Sequence, residues 1–279
     1  MKIKHAAAAL ALMAAAGATP ALAQSAPDWS GFYVGVHGGF LDSHEDKNET
    51  LVFDRDFDGA FDDTVVLSGS GADAFSPGFC AGQSSNTTPA GVCDRDGSGV
   101  AGGARVGYDM QFGNWVVGAV AEIQGVDAED SVTGFSTTPA RYSFTRNLEH
   151  TAGLRLRAGY AMGPALFYGT GGVAYGKIEN KFMTSNGANS FTVRTDEDDA
   201  DGFQYGGGVE WRLAPNLTLV GEYLYTDLEA GDYVVRAGPG TAPATNPFIL
   251  PPNTAGTDIS RSNPDFKTHE FRLGMNVRF

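Results

Sequence analysis

The chain has 279 residues, among them 38 Gly, 18 Phe and 10 Tyr, and its formal net charge is −14 at pH 7. Abundant Gly and aromatic residues without helical heptads exclude a coiled coil and favour an all-β protein with tight turns. Beyond the first 23 residues no run approaches the roughly 18 apolar residues of a transmembrane helix, and we expect no nucleic-acid partner.

The N-terminal segment has the pattern of an export signal. Two lysines precede an apolar run over 6–16, which is too short to span a bilayer as a helix. Small residues at Ala21 and Ala23 suit a cleavage site before residue 24. We predict a signal peptide over 1–23, export through the general secretory route and one mature domain over 24–279. An uncleaved anchor is the alternative.

Eight segments of the mature chain alternate between apolar residues and small or polar ones. The last is the clearest, because Phe271, Leu273 and Met275 alternate with Arg272 and Gly274. A strand in a membrane barrel needs this pattern, with one face toward lipid and the other toward the interior. The segments are 32–40, 104–112, 115–124, 151–160, 167–176, 203–213, 217–226 and 269–279.

The first long connection, 41–98, contains an acidic motif and both cysteines. Acids at alternate positions followed by Gly59 match the first half of a calcium loop, although Val65 stands where such a loop has its bidentate Glu. A calcium site and an ordinary solvated acidic loop are both open, and no other cofactor is expected. The candidate ligands are Asp54, Asp56, Asp58 and Asp62.

Cys80 and Cys93 are the two cysteines of the chain. In an oxidising compartment they are expected to pair, and closing so short a loop stabilises by about 3 kcal/mol in the chain-entropy model. A metal pair is not favoured, because no further Cys or His lies close in sequence. We predict a structural disulfide.

The connections between the segments alternate in length. Gly113-Asn114, Gly163-Pro164 and Ala214-Pro215-Asn216 are tight turns, whereas 41–98, 127–147, 178–201 and 229–265 are long. Bacterial outer-membrane barrels have short periplasmic turns and long extracellular loops. We therefore predict an all-β fold, an eight-stranded antiparallel up-and-down transmembrane β-barrel with both chain ends of the barrel on the periplasmic side.

The alternation also assigns the charged residues of the strands to the interior. Six acids and six arginines then face inward, and none of the acidic or basic strand residues faces lipid, where a midplane Arg or Lys costs roughly 2–4 kcal/mol. An eight-stranded barrel is just wide enough for its own side chains, so we predict an ion-pair network instead of a pore. The residues are Asp109, Glu122, Glu149, Glu210, Glu222, Glu270, Arg105, Arg155, Arg157, Arg212, Arg272 and Arg278.

The last long connection contains an apolar cluster over 246–252. An exposed apolar patch marks a partner surface in some proteins. The alternative, which we favour, is that the cluster packs onto the disulfide of the first connection.

Three strand motifs resemble a known family: Trp29 to Gly35 (WSGFYVG), 168–176 (YGTGGVAYG) and Glu222 to Tyr225 (EYLY). They are similar to the small "porin family" outer-membrane β-barrel proteins, whose barrel is OmpA-like. The resemblance implies a location in the cell outer membrane, contact with its lipid and lipopolysaccharide, and passage through periplasmic chaperones. It also implies that the terminal Phe279 is an assembly signal for the barrel-assembly machinery.

No Ser, His and acid share a recognisable spacing, so we expect no enzymatic activity. The leading hypothesis for function is a structural barrel that supports envelope integrity and presents acidic surface loops. Two alternatives stay open: a narrow porin-type channel for small solutes, and an adhesin or receptor that acts through the first and last long loops.

Overall fold

The fold is known from a computed structural model, which describes residues 28–43, 48–89, 93, 94, 96 and 98–279. The predicted signal peptide, 1–23, lies outside the described residues. The strands are β1 (Gly31–Ser43), β2 (Leu51–Asp54), β3 (Gly78–Ala81), β4 (Gly99–Phe112), β5 (Trp115–Ser136), β6 (Ala140–Met162), β7 (Ala165–Thr184), β8 (Ser190–Asp196), β9 (Asp199–Ala214), β10 (Leu217–Ala230), β11 (Tyr233–Gly238), β12 (Thr257–Arg261) and β13 (Asp265–Arg278). Within these ranges the one helical element is a 3₁₀ turn at Pro247–Ile249, and no helix has the length and hydropathy to cross a membrane.

Eight of these strands form a closed ring, which confirms the predicted antiparallel barrel. The order is β5-β4-β1-β13-β10-β9-β7-β6, and β6 pairs back with β5. Every neighbouring pair in the ring is antiparallel. Closure leaves no ring strand with an open edge at barrel level, as a sheet in hydrocarbon requires.

The two faces of the ring follow the sequence alternation. Large apolar side chains point outward, and Ile123, Leu156 and Leu273 are 68%, 72% and 67% exposed. In the first strand Phe32 points outward, whereas Tyr33 is fully buried inside. The predicted tight turns join β4 to β5, β6 to β7 and β9 to β10, at the barrel end where β1 begins and β13 ends.

The second connection, predicted to be long over 127–147, is a short turn between two extended strands. Strands β5 and β6 continue through it for 22 and 23 residues in total, joined by the short turn 137–139. Their extensions are stabilised by burial, since Val132, Phe135 and Phe144 are fully buried. The alternation of Tyr142 and Phe144 with polar residues is the sequence signal of this extension.

The other long connections fold into a second sheet of four strands, in the order β2-β12-β11-β8. It packs through an aromatic core against the extended parts of β5, β6 and β7, with β3 added beside β5. Phe75 lies at the centre of this core, with its ring centroid 4.6 Å from that of Phe53 and 5.3 Å from that of Tyr142. We call this two-layered unit, at the extracellular end of the barrel, the cap.

Candidate functional site

Buried side chains fill the interior of the barrel in layers. At the periplasmic end they form an apolar layer of Trp29, Val116, Ala161, Leu166, Tyr168 and Val220. At the extracellular end every ring strand contributes to a second apolar layer, formed by Leu41, Ala101, Val126, Ala128, Leu148, Ala174, Ile178, Ala200, Leu228, Ala230 and Phe266. Along β5 and β6, the charged residues Glu122, Arg155 and Arg157 lie between the two layers.

The charged residues nearer the periplasmic end form a lower ion cluster of Asp109, Arg157, Glu210 and Arg278. The Arg157 guanidinium donates to Asp109 Oδ1 and Oδ2 at 2.9 and 2.7 Å and to Glu210 Oε2 at 2.9 Å. Arg278 Nη2 lies 2.7 Å from Asp109 and 3.0 Å from Glu210. Two acids and two arginines therefore neutralise one another in the buried interior, which satisfies the requirement that buried charges be paired.

An upper ion cluster occupies the middle of the lumen and contains Arg105, Glu122, Arg155, Glu222, Glu270 and Arg272. Glu122 accepts two hydrogen bonds from Arg155, at 2.9 and 2.8 Å, and another from Arg272 Nη1 at 2.7 Å. Glu222 accepts hydrogen bonds from Arg272 and from Arg105. Glu122 and Glu222 thus each bridge arginines from different strands, which ties distant parts of the ring together.

Glu270 and His37 lie at the extracellular edge of the upper ion cluster. His37 Nε2 is 2.9 Å from Gln124 Oε1, and the Gln124 amide donates to Glu270 Oε2 at 3.2 Å. Arg272 Nη1 lies 3.8 Å from the same carboxylate. The Gln124 side chain therefore links His37 to Glu270, an acid that has one distant arginine.

Two residues of the predicted network lie elsewhere. Glu149 is exposed, because the pairing of β6 with β7 shifts register between residues 148 and 150 and this extra residue reverses the faces of the strand. Arg212 is half-buried at the periplasmic rim, where it donates to the carbonyls of Asp28 and Pro215 at 2.7 Å and lies over the Trp29 ring. Five acids and five arginines of the predicted set are buried inside the barrel.

A third group of charges joins the cap to the barrel, and no pattern in the sequence predicted it. Arg261 donates to both oxygens of Glu49 at 2.6 Å and to Asp130 at 2.7 Å, and Arg146 donates to Asp130 at 2.5 Å. All four residues come from stretches that were expected to be loops. Burial acts to raise the pKa of Asp130, but Arg261 and Arg146 outweigh it and hold that pKa below its usual value of 3.8.

The disulfide and the apolar cluster of the last connection both lie in the cap. Cys80, on β3, is bonded to Cys93, which confirms the predicted disulfide. Phe248 and Ile249 are buried, at 4% and 7% exposure. Phe248 contacts Phe75 and Tyr142, so the cluster packs into the core of the cap against rings of the first and second connections.

The predicted calcium ligands are only partly brought together. Carboxylate oxygens of Asp54, Asp56 and Asp58 lie within 4.8 Å of one another, and among the residues described here Asp62 is not part of this group. Both oxygens of Asp54 already accept backbone hydrogen bonds, from Phe57 and Gly59. Calcium binding stays a prediction, which calorimetric titration with Ca²⁺ would separate from a solvated acidic loop.

Comparison with known proteins places the chain in a family. Residues 7–279 match the model of the outer membrane protein beta-barrel domain. The chain is 30% identical to the 31 kDa outer-membrane immunogenic protein of Brucella melitensis biotype 1 over 253 residues, which is 90% of this chain and 84% of that protein. It is 32% identical to a 22 kDa outer membrane protein of Rhizobium leguminosarum bv. viciae over 52% of this chain and 60% of that one.

Among solved structures, the outer membrane protein OprG from Pseudomonas aeruginosa aligns with a TM-score of 0.48 and 16% identity, over 90% of this chain and 97% of that one. The family match spans all eight ring strands. A closed ring with an apolar outer face, together with this match and the Brucella relative, shows that the chain belongs to the outer membrane protein beta-barrel domain family and is a protein of the bacterial outer membrane.

Proposed function

We propose that the protein is a structural, non-conducting barrel that supports the envelope and carries a folded extracellular cap. The observation that carries this proposal is the filled lumen, where ion clusters are enclosed between two apolar layers. Bringing an ion past Leu228 and Phe266, which are 0% and 1% exposed, would require displacing tightly packed side chains. An eight-stranded ring has little interior space beyond what its own side chains occupy.

Planar-bilayer recording of the purified full-length protein tests this proposal against the narrow-channel alternative. We expect the baseline current of a protein-free bilayer over a range of salt concentrations. Steady conductance steps that scale with salt would overturn the proposal.

We further propose that the protein has no enzymatic activity. Its inward acids are paired with arginines and buried, so none is placed to exchange protons with a dissolved substrate. Assays of ester and peptide hydrolysis on the refolded protein should give background rates. Turnover that disappears on heating would contradict this proposal.

A second candidate function is recognition by the cap, and its independent aromatic core favours it. An irregular loop would present no fixed surface, whereas the cap is held by the packing of Phe75, Tyr142 and Phe248. The Brucella relative bears the name immunogenic, which suits a folded structure displayed at the cell surface. Binding of cells or matrix components to intact protein, compared with a variant whose β11–β12 segment is replaced by a short turn, would test a receptor role.

The outward face of the ring and the last residue of the chain are the basis for a proposal on lipid contacts and assembly. The outward face lies in membrane lipid, and we propose that lipopolysaccharide contacts its extracellular rim and that periplasmic chaperones and the barrel-assembly machinery handle the exported chain. Phe279 is 79% exposed, and its backbone N–H donates to Phe32 O at 2.9 Å. Phe279→Ser should reduce the assembled, heat-modifiable fraction in cells, while Phe112→Ser, at another outward position, should not.

A further inference from the structure

The lipid-facing wall of the barrel contains a recess over β1, β13 and β10. Its volume is about 480 Å³, and its lining includes Gly38, Phe40, Gly221, Tyr223, Phe271 and Leu273. Phe40, Phe271 and Leu273 are 74%, 66% and 67% exposed, so they protrude into the hydrocarbon around it. The recess is therefore part of the lipid-contact surface of the membrane-spanning ring.

Two glycines on either side of Leu273 create this recess. Gly38 on β1 and Gly221 on β10 are both register partners of Leu273 on β13. In the next row toward the cap, Phe40 and Tyr223 flank Phe271 in the same way. A row with a glycine on each side of the protruding Leu273 thus lies directly below a row of three rings, so the recess has a glycine floor on both sides of Leu273 and an aromatic upper wall.

Neither glycine is required by the barrel itself. A Cβ added at Gly38 would lie 3.7 Å from Ala101 O, and one at Gly221 would lie 3.8 Å from Leu273 Cδ2, which are ordinary van der Waals distances. The inward Gly39 is different, because its added Cβ would lie 2.8 Å from both Arg272 Cβ and Glu270 Oε1. Filling of the lumen explains Gly39, but packing within the protein does not explain the two outward glycines.

The upper edge of the recess changes from apolar to polar. The Tyr223 hydroxyl is 2.7 Å from His269 Nδ1, and the ring of Tyr225 lies 5.0 Å from that of His269. Aromatic residues with polar tips are typical of the level where hydrocarbon meets lipid headgroups. A lipid in the outer leaflet would therefore have its chain at Gly38 and Gly221 and its polar part above Tyr223.

We propose that this recess is a binding site for one acyl chain of an outer-leaflet membrane lipid. The surrounding medium at this depth is acyl chain, and the recess is bounded by protruding apolar side chains. Glu222 and Arg272 also line it, but both residues are buried, at 6% and 3% exposure. A flexible acyl chain can pass between the protruding side chains and contact the floor at Gly38 and Gly221. The flat wall of a second barrel could not reach that floor. The lipid is held at a fixed place on the wall because its chain gains contacts on the floor and on the rings together.

Photolabelling tests this assignment on the full-length protein refolded in non-ionic detergent. The probe is a lipid A with a diazirine near the end of one acyl chain, added at increasing ratios, and labelled residues are mapped by mass spectrometry. Labelling should saturate and should concentrate on Phe40, Tyr223, Phe271 and Leu273. If wild-type protein is labelled evenly over the outward positions of all ring strands, that result alone overturns the proposed site.

Matched double variants sharpen the test. Gly38→Leu with Gly221→Leu fills the recess and should lower saturable labelling by about tenfold, which corresponds to about 1.4 kcal/mol. Gly169→Leu with Gly171→Leu on β7 is the control, since added Cβ atoms there would also meet only ordinary contacts, at 3.9 and 3.7 Å. Gel shift verifies folding of both. Equal labelling of the two variants, or crosslinks between two copies of the chain at the recess, would overturn the proposal.

Discussion

Arg272 on β13 donates a hydrogen bond to Glu122 on β5 at 2.7 Å, although 150 residues separate them in the chain. Strands β1 and β4 lie between β13 and β5 in the ring, so this contact crosses the lumen instead of following neighbouring strands. Both side chains are almost fully buried, at 0% and 2% exposure. The barrel is therefore held together through its interior as well as around its wall.

Arg272→Ala should lower the heat stability of the barrel. The change leaves Glu122 and Glu222 with fewer positive partners in an enclosed space, and breaking a buried pair on one side costs about 3–5 kcal/mol. Glu222→Ala should act in the same direction, because it deprives Arg105 and Arg272 of a shared acceptor. The temperature of the shift between folded and unfolded bands on a gel measures the effect.

The exposed pair of Lys181 and Glu179 provides the matched control for these variants. Their side chains are 51% and 47% exposed, and pairs of this kind contribute little because water and salt screen them. Lys181→Ala should therefore leave the shift temperature unchanged. A similar temperature for wild type, Arg272→Ala and Glu222→Ala would contradict a tightly packed polar interior.

Phe75→Ala should loosen the cap while the barrel stays folded. Phe75 is 2% exposed and contacts four other rings, and truncating a buried Phe costs about 3–5 kcal/mol. Limited trypsin digestion should then cleave after cap arginines such as Arg236 and Arg261 much faster. Val193→Ala, at a position 49% exposed on β8, is the control and should keep the wild-type pattern. Loss of the gel shift together with the cap would show that the two parts unfold as one unit.

Acid should destabilise the junction between cap and barrel. The folded pKa of Asp130 lies below its usual value of 3.8, so its contribution to stability is fully present above 3.8 and is lost as the pH falls through the lower, folded value. Thermal melting followed by near-ultraviolet circular dichroism should show a falling midpoint for the cap below that pH. Asp130→Asn removes this titration and should flatten that part of the curve. Equal slopes for wild type and Asp130→Asn would exclude Asp130 as the responsible group.

Reduction of the disulfide should increase proteolysis of the first connection. Cys80 and Cys93 are separated by 13 residues, and a loop of this length gives about 3 kcal/mol in the chain-entropy model. Digestion within this connection should be faster after treatment with a reductant, and a Cys80→Ser, Cys93→Ser variant should match the reduced protein. Barrel strands should stay protected in both. A reductant that accelerates digestion of the double variant as well would point to a different cause.

The sequence by itself determined the barrel. Alternation in eight segments, less regular in the first and fifth, and the tight turns specify which residues face lipid. A charge on the outer wall is costly, and a one-residue slip would expose the arginines. It also indicated which charges are available to neutralise one another inside. These properties are local, with a period of two residues, and can be counted along the chain.

Only the tertiary structure decided how those charges pair and what the long connections become. Whether Arg272 reaches Glu122 depends on ring order and strand tilt, and whether Glu149 points inward depends on a bulge that breaks the two-residue count. The cap brings together Phe53, Phe75, Tyr142 and Phe248 from three separate connections. The sequence of each of these stretches is too short or too irregular to predict which other stretch it packs against. Burial here depends on contacts between distant segments, and such contacts leave no periodic pattern within any one segment.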